Sequence, residues 1–74
     1  MTIAAHWKVF DRVGAEIDNI EKTLHEITGA SVIRSESVNK FGNYDAHFIL
    51  KGNIPAQNLS DACDFMLDAD AFPV

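Results

Sequence analysis

A single cysteine, two prolines and four glycines stand in a chain of 74 residues, and each scarcity excludes something. With Cys63 alone, no internal disulfide forms, and a reducing compartment is the simpler setting. The few glycines build no phosphate-cradling loop, and neither a nucleophile elbow nor a Cys-x-x-Cys pair occurs. Basic residues are also few: six Lys and Arg against eleven Asp and Glu leave a net charge of −5. Proteins that hold nucleic acid through its phosphates need a basic patch, so no direct nucleic-acid partner is expected. An anionic membrane surface is disfavoured for the same reason. No apolar run approaches the roughly 18 residues of a membrane span. The opening "MTIAAHWKVF" lacks a basic segment followed by a long apolar one. The expected setting is cytoplasmic.

What the chain does have is apolar mass: 47% hydrophobic residues, with five Phe, one Trp and one Tyr. That composition specifies one globular domain over residues 1–74. A domain of this size buries only about 60% of its unfolded surface. A homodimer that covers one exposed face is therefore expected in preference to a self-sufficient monomer.

The pattern along the chain predicts β-α-β-β-α. In "AEIDNIEKTLHEIT", Ile17, Ile20, Leu24 and Ile27 fall on one helical stripe, and Gly29 follows as a C-cap. Upstream, Ile3, Ala5, Trp7 and Val9 alternate as a half-buried strand does, although Ile3, Phe10 and Val13 also extend the helical spacing backwards. Strand, turn and helix is the preferred order, because Gly14 is costly inside a helix and Asp11 suits an N-cap. "SVIRSESV" and "YDAHFILK" are extended runs joined by "NKFGN", where Gly42 and Asn43 supply the positive-φ positions of a hairpin loop. A second helix follows Pro55, with Leu59, Ala62, Cys63, Met66 and Leu67 as its apolar face. "AFPV" is either a short edge strand or a tail. The fold class is thus α+β, a ferredoxin-like two-layer sandwich. Helix–β-hairpin–helix is the fallback if the first strand is helical.

In such a sandwich the helices cover one sheet face. Tyr44, Ala46, Phe48 and Leu50 then lie beneath them with Ile3, Ala5, Trp7 and Val9. The other face carries His6, Lys8, Phe10, Asp45, His47 and Ile49. RNA-binding sheets of this topology display stacking aromatics on their central strands; here Asp45 and His47 occupy those places. An ordinary solvated face and a protein-binding face are both open readings, with Phe10, His47 and Ile49 as the contact candidates.

"DRVGAEIDNIEKTLHEITGASVIRSESV" resembles the first half of an ACT-type regulatory domain. In that family a strand ends in an Asp-Arg-x-Gly-like turn, here Asp11, Arg12, Val13 and Gly14, and a Gly-containing loop such as Gly29-Ala30 leads to the second strand. Val13 replaces the proline frequent at the third position of that turn. The resemblance covers about half the chain and implies effector binding near Asp11, Arg12 and Gly14 at a dimer interface.

Side-chain chemistry for catalysis is sparse. Cys63 is expected to be a small buried hydrophobe, its thiolate disfavoured by Asp61 and Asp64. The histidines lie on separate elements, and none has a second ligand at zinc-type helical spacing. Glu21 and His25 are placed for an i,i+4 contact, and His6 and His47 for an approach across neighbouring strands. No enzymatic activity, cofactor or metal is expected. The second helix is acidic: Asp61, Asp64 and Asp68 line one edge, roughly 5–6 Å between neighbours. A solubilising stripe is the plain reading; a surface complementary to a basic protein groove is the functional one. Together these features predict a non-enzymatic, acidic protein-interaction module. An inhibitor or regulator of a bacterial protein, of the kind phages and mobile elements carry, is a subclass of that reading. The alternative is an ACT-like small-molecule sensor.

Overall fold

Residues 3–12 form a strand, and with that the helical alternative for the N-terminus, and the helix–hairpin–helix fallback with it, is excluded. In the computed structural model, which describes residues 2–74, the elements run β1 (Ile3–Arg12), α1 (Gly14–Thr28), β2 (Val32–Val38), β3 (Tyr44–Lys51), α2 (Ala56–Asp68) and β4 (Phe72–Pro73). The strands make one antiparallel sheet in the order β2-β3-β1-β4. With α1 and α2 packed on one side, this is the ferredoxin-like α+β sandwich that the alternation and the helical stripe predict.

Register explains how the two strand faces separate. Trp7 stands opposite Phe48 and Val9 opposite Ala46, while Lys8 faces His47 and His6 faces Ile49. The first set is buried with Leu50 against Ile17, Ile20 and Leu24 of α1 and Ala62 and Met66 of α2. One apolar layer thus fills the space between sheet and helices, and it holds the core of the molecule.

Four expectations are corrected. Ile3, assigned to the core row, is 53% exposed. A bulge between Ile3 and Ala5 breaks the alternation there, so that Ala4 and Ala5 both pack on the core instead. Cys63 is exposed and Leu67 is 73% exposed, while Phe65 packs against the core. The larger aromatic ring takes the flank of the Leu59, Ala62 and Met66 face, and Cys63 and Leu67 are left to solvent. Asp11 does not cap α1. It lies in β1 at φ 56°, and Val13 occupies the N-cap without a side-chain bond. In the hairpin loop the positive φ belongs to Gly42 (82°) and not to Asn43.

The helix ends have clear local causes. α1 stops at Gly29 (φ 67°), whose N–H donates to the carbonyl of His25 at 2.7 Å. α2 ends with Asp70 in the left-handed region (φ 57°). There the Asp70 N–H reaches the Leu67 carbonyl at 3.1 Å and the Ala71 N–H reaches the Met66 carbonyl at 3.0 Å. That pair of bonds is the Schellman closure, with buried Ala71 and Met66 as its apolar contact.

Candidate functional site

Charge is divided between the layers. The two helices carry seven carboxylates and one lysine, whereas the strands and loops carry four carboxylates and five bases. Within the helical layer the acids differ in how they are compensated. Arg34 on β2 reaches Asp18 at 2.7 Å and Glu21 at 2.8 Å on α1, and Glu36 at 3.0 Å on its own strand. Those carboxylates hold the guanidinium pKa above its ordinary value, the Asp18 hydrogen bond foremost. Arg12 pairs with Glu16 at 3.5 Å and Lys22 with Glu26 at 3.9 Å. Every acid of α1 therefore has a basic partner. Among the described residues none of the ion pairs involves α2.

Asp61, Asp64 and Asp68 are all exposed on α2. Asp61 accepts a hydrogen bond from the Gln57 side-chain amide at 2.9 Å, a neutral contact that leaves its charge in place. The spacing of the three puts them along one edge, as the sequence predicts. Negative charge at the C-terminal end of a helix is locally unfavourable. Arg12 relieves it from outside α2, its guanidinium donating to the backbone carbonyl of Ala69 at the helix end.

The open sheet face gathers more than the sequence assigned to it. Phe10, His47 and Ile49 share it with His6, Lys8 and Asp45, and β2 adds Ile33 and Ser35 in register with Ile49 and His47. β4 adds Phe72, opposite Lys8. Phe10 and Phe72 meet edge to face with centroids 5.6 Å apart, and the Lys8 ammonium sits 4.8 Å over the Phe10 ring. Both rings remain substantially exposed, Phe10 at 46% and Phe72 at 58%. At the centre of this face His6 Nε2 and His47 Nδ1 are 2.8 Å apart. Phe72 and the β2 residues were missed because strand order, not local alternation, decides which residues share a face.

The Asp11–Gly14 turn is bound up with the rest of the chain. The Asp11 carboxylate accepts hydrogen bonds from the side-chain amides of Asn39 and Asn43, both at 3.0 Å, and its N–H donates to Asp45 Oδ1 at 2.9 Å. The two amides hold the Asp11 pKa below its ordinary value. Asn39 also accepts from the N–H groups of Phe41 and Asn43, at 2.9 and 3.1 Å, so one cluster organises both the β1 bulge and the hairpin tip. Gly14 needs no unusual conformation: a Cβ there would meet Tyr44 at an ordinary 3.8 Å. Beside this turn an open groove of about 320 Å³ runs between the helices, lined by Arg12, Ala15, Glu16, Asn19, Phe65 and Ala69 among others.

The expected Glu21–His25 contact is not made. Glu21 turns to Arg34, and His25 Nδ1 lies 2.8 Å from the Ala30 carbonyl. Cys63 lines a separate open groove of about 280 Å³ with Trp7, Asp64 and Leu67. Among the described residues no group of three His, Cys, Asp or Glu side chains converges as a metal site within one chain, and no helix is long and apolar enough to cross a membrane. Comparison with protein-family models, curated proteins and solved structures finds no match.

Proposed function

We propose that this chain is a non-enzymatic protein-interaction module with two working surfaces. The carboxylate edge of α2, formed by Asp61, Asp64 and Asp68, meets a partner protein through a basic surface. The open sheet face, with Phe10, His47 and Ile49, meets a second copy of the chain. The observation that carries the reading is the distribution of ion pairs: among the described residues each acid of α1 has a basic partner, and the acids of α2 have none. A helix whose acids are each in an ion pair beside one whose acids are not shifts the negative field toward one edge, which is how an acidic surface selects a basic groove and speeds encounter with it.

The same distribution supports the choice of face for self-association. Two helical layers approaching each other would bring like charges together. The outward positions of β1 and β3, by contrast, mix two lysines and one aspartate, Lys8, Lys51 and Asp45, with Phe10, Ile49 and the two histidines His6 and His47. An inhibitor or regulator of a bacterial protein is the role this plan serves most economically. It occupies a basic surface and so blocks whatever else that surface binds. A cytoplasmic setting suits the exposed thiol of Cys63.

The test uses tagged wild-type protein, the triple variant Asp61→Asn, Asp64→Asn, Asp68→Asn, and Ile49→Lys, each passed over a bacterial extract, with retained proteins identified and rebound in purified form. A specific partner lost in the triple variant and at about 1 M salt, where the Debye length is ~3 Å, and kept by Ile49→Lys, is the expected result. Equal retention by the triple variant would overturn the reading.

A second reading, the ACT-like sensor, is favoured by the groove of about 320 Å³ beside Arg12, a volume suited to a small metabolite. Thermal unfolding against a panel of amino acids separates the two. A ligand that binds the native state raises the melting temperature by mass action, and a panel without effect removes this reading.

A further inference from the structure

The His6–His47 pair has an unusual arrangement. Two ring nitrogens, Nε2 of His6 and Nδ1 of His47, face each other at 2.8 Å, with ring centroids 5.1 Å apart and planes inclined at 51°. One nitrogen donates and the other accepts, so a single hydrogen holds the two lone-pair positions together. The pair sits near the middle of the two central strands, on the face that no helix covers. In register, Ile33 and Ile49 lie to one end of it, and Phe10 and Phe72 to the other. Lys8, the nearest base in register, directs its ammonium onto the Phe10 ring.

We infer that His6 and His47 are half of a transition-metal site that a second copy of the chain completes, with zinc the ion it suits best. Zinc binds imidazole nitrogen at about 2.0–2.1 Å and prefers four ligands in a tetrahedron. At that bond length two ligand nitrogens stand about 3.3 Å apart, so the observed pair need open by only about half an ångström. The exchange balances without loss of a proton from neutral rings. The imidazole that donates moves its hydrogen to its other nitrogen, leaving a lone pair at both facing positions, and the ion takes the place of the shared hydrogen.

The requirement for a second copy comes from the ligand count and from symmetry. One chain supplies two ligands, and no third His, Cys, Asp or Glu among the described residues joins them. A two-fold contact places a patch against itself, so a pair at the centre of the face becomes four histidines. Sheets stacked face to face stand about 10 Å apart, a gap that imidazoles rising from both sides close at its midplane. Size also argues for the ion. Strands of 10, 7, 8 and 2 residues, at about 3.3 Å rise and about 4.8 Å spacing, present roughly 430 Å² per copy. Two copies bury roughly 900 Å², just under the lower limit of about 1,000 Å² for a specific interface. Apolar contact alone therefore gives a weak dimer, which a shared metal tightens. The inference rests on the reading of the sheet face as the self-association surface.

The test measures association by sedimentation equilibrium in chelator, in Zn²⁺ and in Mg²⁺, with zinc stoichiometry from native mass spectrometry. Wild type, His6→Gln, His47→Gln, His25→Gln and Ile49→Lys are compared, folding being checked by circular dichroism. The expected result is one zinc per two chains and a dimer at least tenfold tighter in Zn²⁺ than in chelator. Mg²⁺ should have no effect, His25→Gln should behave as wild type, and either sheet-face histidine variant should lose the response. One zinc per chain without association, or a response that survives His6→Gln and His47→Gln, would overturn the shared site. A dimer in chelator that Ile49→Lys abolishes keeps the sheet-face reading intact even when the zinc response fails, so the two failures are distinguishable.

Discussion

The guanidinium of Arg12 donates to the backbone carbonyl of Ala69, 57 residues further along the chain. It thereby ties the end of β1 to the end of α2. The same guanidinium donates from Nε to the Phe10 carbonyl at 3.2 Å, so a partly buried cation holds a strand bulge and a helix terminus together. α2 has no base of its own in its last turn, and Arg12 supplies the missing positive charge.

Removing that tie should lower stability more than a surface position would. Arg12→Ala is expected to cost about 1.5–3 kcal/mol, the range of hydrogen bonds from charged donors, read as a lower urea midpoint. Glu16→Ala should cost less than about 0.5 kcal/mol, because the exposed Arg12–Glu16 pair is weak. Equal effects would place the stabilisation in the ion pair and contradict the role given to Ala69.

The Asp11 cluster makes a pH prediction. Its carboxylate pKa is depressed in the folded state by the Asn39 and Asn43 amides. The stabilisation is therefore present above the unfolded value, about 3.9, and is lost as pH falls through the folded value. Asp11→Asn keeps a residue type that tolerates the left-handed backbone but removes the ionisation. Urea midpoints measured between pH 7 and pH 2.5 should fall less steeply for Asp11→Asn than for wild type. Identical profiles would show that the cluster contributes nothing to acid sensitivity.

Arg34 defends the β2 edge. Its guanidinium joins three carboxylates from α1 and β2, and an inward-pointing charge on an edge strand discourages pairing with a further strand. Arg34→Gln leaves Asp18, Glu21 and Glu36 to repel one another. A loss of about 1 kcal/mol at low salt, in line with a network of partly exposed pairs and shrinking as salt screens the acids, is the expected outcome in paired urea titrations. A loss independent of salt would mean that packing, not charge, is what Arg34 contributes.

Asp70 closes α2 in a conformation that glycine adopts at less cost. With φ at 57° and both Schellman bonds made by backbone groups, the side chain has no part in the closure. Asp70→Gly should raise stability by about 0.5–1 kcal/mol, by removing both the left-handed strain and a negative charge at a helix C-terminus. A lower melting temperature would point to a role for the carboxylate itself.

Much of the architecture was legible in local pattern. The stripe Ile17, Ile20, Leu24 predicts the buried face of α1, and the alternation in "YDAHFILK" predicts both faces of β3, because helix and strand periods differ so plainly. Failures came where a non-local choice decided. Either Cys63 and Leu67 or Phe65 could flank Leu59, Ala62 and Met66, and only the packing against α1 selects Phe65. The bulge at Ala4 that exposes Ile3 depends on the register with β3. Of the candidate residues, Asp61, Asp64 and Asp68 do fall on one exposed edge, and Phe10, His47 and Ile49 share one face. Their distinguishing property, that among the described residues α2 lacks the ion pairs α1 has, depends on Arg34, which acts across 16 residues from Asp18 and leaves no local signature.

Gel filtration coupled to light scattering, in the presence of a chelator, tests the division between the two surfaces most directly. The samples are wild type, Ile49→Lys and the triple variant Asp61→Asn, Asp64→Asn, Asp68→Asn. A wild-type mass that rises from one chain toward two with loading concentration, staying at one in Ile49→Lys and unchanged from wild type in the triple variant, is the predicted result. A single-chain mass for wild type at every concentration, or a dimer lost in the triple variant and kept in Ile49→Lys, would contradict it.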